Sequence, residues 1–431
     1  MSTAKMYWAN PYGTDFSATV LDIWQEDDDL FLVLDKTFFY PEGGGQPCDL
    51  GIIVPVASLL GEGMGNIDEV YRVRKVFEDD GRIIHVMGQA GLSKGQTVFG
   101  RIDWDRRFDF MQQHTGQHIL SRGFEELLGA QTIGFHLGDD YVSIDLDAPS
   151  IEDGMLMRVE DLTNEIVYKN LPVEVKEYTQ SQVPSAIRMR IPTDADSIRV
   201  VHIGDFDACA CGGTHVKATG EIGIVKINQT DRSHGGVRVI FRCGRRALLD
   251  LREKEQILLS TSQMLSVSYK DLYETVVSVL EDANRAAKDL RLLKKEVLEY
   301  EVKDLIEKAR TQSGSGCFVC RVDGKDVSEL KIMCKKICDC IDETVVLFSC
   351  VPQFSLVVAC PDKAVTELMH LSPCLDASAI VKNLAHKWGL KGGGTPQIAQ
   401  MGSKEPMDKS EEVVLGDLLE TMEKLKGENC S

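Results

Sequence analysis

The 431 residues predict an α+β chain built in successive parts. Residues 1–95 form a β-barrel-like region, 96–245 an α+β domain, 246–310 a long helical, coiled-coil-like segment, and 311–431 a C-terminal α/β domain. Three observations carry this reading. Alternating apolar runs dominate the first part. Helical and strand-prone runs with caps and turns fill the second. A heptad seam free of proline and glycine marks the third. A chain this long exceeds one ordinary core, so two or three domains are expected.

In the first part, residues 16–23 and 30–34 are strand-prone, and Glu26-Asp27-Asp28-Asp29 turns between them. Tyr71, Val73, Lys75 and Phe77 alternate against their neighbours, and Asp79-Asp80-Gly81 turns the chain into a run over 83–87. In the second part, Asp105 is the expected N-cap of a helix over 106–128, and Gly129 stands where its stop belongs. Strands are expected over 132–146, a helix over 151–170, then strands near 173–177, 198–203 and 222–228. From Leu272 the apolar residues Val276, Val279, Ala283, Ala286, Leu290, Leu293, Val297 and Tyr300 step by four and three. This seam predicts a helix packed on another helix, either over 256–265 or in a second subunit, as a homodimer. Residues 311–316 are a linker by composition. Beyond them, helices are expected over 327–341 and 362–369, a β-hairpin around Pro352, and a short helix after Ser403.

Composition excludes several classes. The N-terminus has no apolar core of a secretory signal, and no run of about 18 apolar residues offers a membrane span. Thirteen cysteines, an odd count, without such a signal fit a reducing cytoplasm better than a disulfide framework. Cys317, Cys320, Cys334, Cys338 and Cys340 have two readings, a second metal site or small buried hydrophobes, and the latter is the commoner use. The net charge of −19 disfavours non-specific nucleic-acid binding. One local exception is Lys226, Arg232, Arg238, Arg242, Arg245 and Arg246, interrupted by the single acid Asp231. It reads equally as a phosphate-binding patch or as solvated surface.

The chemistry concentrates in two clusters. His114 and His118 stand four apart within the first expected helix, hence one turn apart on one face. Imidazole is the commonest metal ligand, but a lone pair of this kind is a weak signal. Thr115 occupies the position where a metalloprotease helix has its glutamate. About a hundred residues on comes Cys209-Ala-Cys211-Gly-Gly-Thr-His215, in which two glycines make a loop that lets a thiolate and an imidazole converge. Such N and S donors suit tetrahedral zinc. Cys209 competes with Cys211 as the sulfur ligand.

Together the clusters resemble the editing domains of alanyl-tRNA synthetases and the free-standing AlaX proteins. So do Thr37-Phe-Phe-Tyr-Pro-Glu-Gly-Gly-Gly-Gln-Pro47, the run from Asp103 to His114, and Thr219-Gly-Glu-Ile-Gly223. Lys391-Gly-Gly-Gly-Thr-Pro-Gln-Ile-Ala-Gln-Met401 resembles the DHH-associated C-terminal domain of the synthetases. The long C-terminal part is similar to the large AlaX subclass. No room precedes Thr37 for an aminoacylation domain, so an intact synthetase is not expected.

The resemblance implies zinc held by His114, His118, Cys211 and His215, with Thr132 reading a substrate hydroxyl and Gln46 and Gln117 as further candidates for that contact. It implies hydrolysis of the ester in mischarged alanine tRNA, carrying serine or glycine. The chemical need is real, because a missing methyl or added hydroxyl gives only roughly one to two orders of magnitude of discrimination by binding. Zinc would either activate water or organise the pocket, and four protein ligands speak mildly against the first. The run Gly43-Gly44-Gly45 is expected in the pocket wall.

Overall fold

A computed structural model describes residues 2–56, 70–179, 182–183, 198–233, 235–311, 317–341, 343–361 and 376–428. They fall into two compact units, Met1–Tyr269 and Lys270–Ser431. The expected helix over 362–369 and most of the linker lie outside the described residues. Among those described, no helix is long and apolar enough to cross a membrane.

The first unit opens with a helical turn, α1 (Met6–Ala9), and a closed barrel. The barrel strands are β1 (Asp15–Glu26), β2 (Asp29–Leu34), β3 (Gly51–Pro55), β4 (Tyr71–Asp79), β5 (Arg82–Met87) and β6 (Thr97–Ile102). Their order is β1-β2-β5-β4-β3-β6. Inward residues such as Val20, Leu32, Ile53, Val76, Ile83 and Val98 fill the interior, as side chains do in small barrels.

One polar residue sits deep in that interior. His85 is fully buried, with Nδ1 3.1 Å from the Leu32 carbonyl and Nε2 2.9 Å from Thr37 Oγ1. Burial pushes its pKa down to about 4. The folded chain therefore keeps this ring neutral, while the unfolded chain protonates it below about 6.5. Stability contributed by a neutral His85 is full above that value and falls as the pH drops towards 4. A shift of this size corresponds to about 3 kcal/mol. Urea denaturation of the wild-type chain between pH 7 and 4 should show this slope, and His85→Gln should flatten it.

The barrel runs directly into α2 (Trp104–Leu128). Its N-cap is Asp103, whose carboxylate accepts from Arg106 N at 3.2 Å, rather than Asp105. The carboxylate that caps must stand three residues before the N–H it accepts, and Asp105 instead lies in the first turn, where its charge favours the helix dipole. Gly129 ends the helix in the left-handed conformation, φ 66°. Next come β7 (Thr132–Leu137), β8 (Val142–Leu146), α3 (Asp153–Tyr168), β9 (Val173–Tyr178), β10 (Ile198–Ile203), β11 (Asp207–Ala210), β12 (Val225–Ser233) and β13 (Gly236–Cys243). They build a four-stranded sheet, β12-β13-β8-β7, and a three-stranded sheet, β9-β10-β11. The buried face of α2 packs with these sheets in one core that includes Phe110, Phe124, Ile144, Val167 and Phe241.

The helical stretch is two helices. The helix α4 (Gly244–Leu265) stops at Ser266, which is left-handed at φ 55° and closes the end through Val267 N to Ser262 O, 3.0 Å. The second unit then begins with α5 (Leu272–Thr311), where Val276, Val279, Leu290, Leu293, Val297 and Tyr300 of the heptad seam are exposed.

A five-stranded sheet follows: β14 (Cys317–Arg321), β15 (Thr344–Ser349), β16 (Ser355–Ala359), β17 (Lys391–Gly394) and β18 (Ile398–Gly402), in the order β14-β15-β16-β18-β17. The hairpin expected at Pro352 is β15-β16. Both its faces are covered. Val346 and Phe348 meet α7 (Ala377–Trp388) and α8 (Glu411–Glu428), while Val345 and Leu347 meet α6 (Val327–Cys338) and α5. Burial on both faces explains the unbroken apolar run. Cys317, Cys320, Cys334 and Cys338 are buried in this unit's core and Cys340 is exposed. Among the described residues they form no metal-binding group.

Candidate metal centre

The i, i+4 spacing on α2 places His114 and His118 on the face turned to the β11 end of the small sheet. β11 ends at Ala210, and the following loop brings in Cys211 and His215. The donor atoms of His114, His118, Cys211 and His215 all lie within 4.8 Å of one another, and three of the four side chains are buried.

Backbone anchoring shapes that loop. Arg199 on β10 donates through Nη1 to the carbonyls of Cys211 (2.8 Å) and Gly213 (2.7 Å). Cys211 N returns a bond to Arg199 O at 3.0 Å. A Cβ on Gly213 would collide with the His114 ring, so the loop needs glycine to approach the helix this closely.

Each imidazole is oriented from behind. Gln46 Oε1 already accepts from Thr214 N (3.0 Å), so at 3.0 Å it takes the Nδ1 proton of His114. Thr115 donates its hydroxyl to Met111 O (2.8 Å), so it accepts from His215 Nδ1 at 3.2 Å. Both rings thereby turn an unprotonated Nε2 towards one sulfur, at 3.4 and 3.3 Å from Cys211 Sγ. His118 Nδ1 faces the Asp207 carboxylate at 3.6 Å, and its buried Nε2 has no hydrogen-bond partner among the described residues. Three convergent imidazole nitrogens around a sulfur, one of them an orphan in a buried site, are what a cation resolves.

The electrostatics agree. Burial resists ionisation of Cys211, but the His114 and His215 rings hold its thiol well below the ordinary range. Burial pushes His215 down to about 3. For His118, burial is opposed by Asp207 and the neighbouring cysteines, Cys209 and Cys211, which hold it well above the ordinary value. Cys211 and His215 already favour the states a metal needs, a thiolate and a neutral imidazole, and His118 would release its proton on binding. The residues fit a zinc-like ion.

The cluster opens on a cavity of about 670 Å³, lined in part by Gly44, Gln117, Ser121, Thr132, Ile133 and Phe135. Thr132 Oγ1 and Gln117 Nε2 both donate to Ser121 Oγ at 2.8 Å. Gln46 is 1% exposed, and its remaining amide hydrogen-bonds Thr214 Oγ1 at 2.9 Å. It backs the histidine instead of lining the cavity. Phe135 stacks on His114, with ring centres 5.4 Å apart. A Cβ on Gly45 would strike that ring, whereas Gly44, at φ 56°, borders open space.

Sequence reasoning did not single out Ser121, Thr115, Phe135, Arg199 or Asp207. Ser121 was within reach, standing one turn beyond Gln117 on the same face. Thr115 follows His114 on α2, whereas Phe135, Arg199 and Asp207 come from strands whose convergence no spacing encodes. The basic stretch is largely self-neutralised: Lys226 pairs with Glu160, Arg238 with Asp145, Arg242 with Asp250, Arg245 with Asp105 and Arg246 with Asp109.

Relatives align with this architecture. Residues 198–240 match the threonyl and alanyl tRNA synthetase second additional domain, and residues 14–106 match class II (A) tRNA synthetases. The alanyl-tRNA editing protein AlaX-L of Pyrococcus horikoshii is 29% identical over 401 residues, covering 92% of this chain and 93% of that protein. The alanine–tRNA ligase of Pyrococcus abyssi is 32% identical over 426 residues, 96% of this chain and 43% of the ligase. That of Pyrococcus furiosus is 35% identical over 318 residues, 71% and 33% respectively. The chain thus spans less than half the length of these ligases. The chain is similar to AlaX-L over nearly the full length of both proteins, and to the corresponding part of the alanine–tRNA ligases.

Proposed function

We propose that this chain is a trans-editing hydrolase that deacylates mischarged alanine tRNA, with seryl-tRNA(Ala) as first substrate and glycyl-tRNA(Ala) as second. The observation that carries the reading is the four-donor cluster opening on a cavity walled by Thr132. Zinc is the ion proposed for His114, His118, Cys211 and His215, because mixed imidazole and thiolate donors suit it. When bound, it supplies Lewis-acid polarisation and a fixed geometry to the pocket. Its four protein ligands favour the organising role.

The chain's own residues supply selectivity. Thr132 gives its proton to Ser121, which leaves its oxygen lone pairs for the hydroxyl of a seryl group. An alanyl group brings no hydroxyl, so the same atoms would stay unpaired in a closed pocket. Gln46 acts here as a positioning residue for His114, and Gln117 holds Ser121. The exposed seam of α5 and the C-terminal unit, with its DHH-associated-like glycine strand, serve tRNA capture or self-association rather than chemistry. For a chain acting on such a substrate we propose the cytoplasm as its compartment.

Purified protein should be given seryl-, glycyl- and alanyl-charged alanine tRNA. Seryl ester should be hydrolysed about a hundredfold faster than alanyl ester. Equal rates would make the chain a general deacylase and end the selectivity claim. Thr132→Val keeps the shape but removes the acceptor, and should reduce the seryl-over-alanyl preference by about tenfold, with metal content unchanged.

A further inference from the structure

Trp8 is a large aromatic residue left 38% exposed, although tryptophans are on average well buried. Its place is set by the metal loop. The indole Nε1 donates to the carbonyl of Gly212 at 3.2 Å, next to the ligand Cys211, and Gly212 itself lines the cavity. The ring is also fixed from its own segment. Lys5 Nζ lies 4.4 Å from the ring centre and is held in turn by Glu78 at 2.7 Å. Tyr7, buried, meets the indole edge-on at 5.9 Å and meets Tyr40 at 5.3 Å. The only polar atom of the indole is engaged and the ring is braced, so its open surface is apolar π surface next to Gly212 of the cavity wall.

We propose that Trp8 is the stacking platform for the terminal adenine of the charged tRNA. The proposal rests on the deacylase reading above, because every aminoacyl ester of tRNA sits on a 3′-terminal adenosine. With the ester at the metal cluster, the attached nucleoside would extend along the cavity wall past Gly212, where Trp8 stands. An unpaired terminal base offers a flat face, and aromatic stacking holds such a face without reading its sequence. A rigid indole costs little ordering on binding. The alternative is that Trp8 is only a strut for the Gly212 carbonyl, and this predicts a different pattern. A strut depends on the indole N–H, whereas a platform depends on the ring.

Two variants separate them. Trp8→Phe keeps an aromatic face and loses the N–H; Trp8→Leu loses both. With seryl-charged alanine tRNA, Trp8→Leu should raise KM roughly tenfold, with a smaller fall in kcat and full metal content, while Trp8→Phe stays within about threefold of wild type. Equal impairment of the two variants, or an unchanged KM in Trp8→Leu, overturns the platform. Adenosine monophosphate is a second probe that needs neither turnover nor Trp8→Leu. It should quench the wild-type indole fluorescence, and Trp8→Phe should bind the nucleotide without that quench. A wild-type chain with no quench, or the same quench in Trp8→Phe, also overturns it. If the chain hydrolyses no charged tRNA, the deacylase reading falls on its own, and the nucleotide measurement still decides the stacking site.

Discussion

Cys211→Ala is expected to leave the chain without stoichiometric metal and to abolish hydrolysis of seryl-charged alanine tRNA. The sulfur is the common neighbour of the His114 and His215 Nε2 atoms, at 3.4 and 3.3 Å. Removing it takes away the only anionic donor among four. Substitutions in the shell behind metal ligands already cost about 10–100-fold in affinity, so loss of the thiolate itself should reach or exceed the upper end. Cys209→Ala should keep one equivalent of metal. Cys209 is fully buried on β11, paired in register with Val201, its thiol directed to Ala210 O, and lies outside the four-donor group. Elemental analysis of the two purified variants distinguishes them. Metal retained in Cys211→Ala and lost in Cys209→Ala would move the sulfur ligand two residues upstream.

Arg107→Met is expected to destabilise the first unit by about 3–5 kcal/mol, the cost of leaving a buried charge without its partner. Arg107 and Asp49 are both wholly buried. The guanidinium binds both carboxylate oxygens of Asp49 and donates to the carbonyls of Pro11 (2.8 Å) and Phe38 (2.6 Å). Asp49 also accepts from Tyr40 N at 2.7 Å. This single side chain, in the first turn of α2, therefore ties the metal-bearing helix to the barrel and to the segment that leads into the glycine run. Its loss should lower the urea midpoint of the first unit and weaken metal retention together, since Gln46 reaches His114 from that same segment. Asp49→Leu combined with Arg107→Met removes both charges and should recover part of the lost stability. A double variant no better than Arg107→Met would show that the carbonyl contacts, not the charge pair, carry the effect.

Much of this molecule was legible in its residue order. Periodicity located four of the six barrel strands, α2 with its glycine stop, and the hairpin around Pro352, because alternation and helical spacing are local consequences of backbone geometry; Gly51–Pro55 and Thr97–Ile102 were not read. The two four-residue offsets, together with the resemblance, named the four donors that the fold brings within 4.8 Å. The misplaced N-cap is also a local feature, but it turned on a choice between Asp103 and Asp105 that periodicity does not rank.

Other features were decided only in three dimensions. The basic stretch from Lys226 to Arg246 looked free because its carboxylate partners come from Asp105, Asp109, Asp145, Glu160 and Asp250, on other elements or a turn away. Gln46 read as a substrate contact, yet its amide is taken by His114 and Thr214, the latter 168 residues away. Arg199, Asp207 and Phe135 acquire a role only where β10, β11 and β7 converge. A ligand's identity follows from its chemistry and a helix face from its spacing, and both are written along the chain. Which buried polar groups satisfy one another depends on long-range packing, and no local pattern records it.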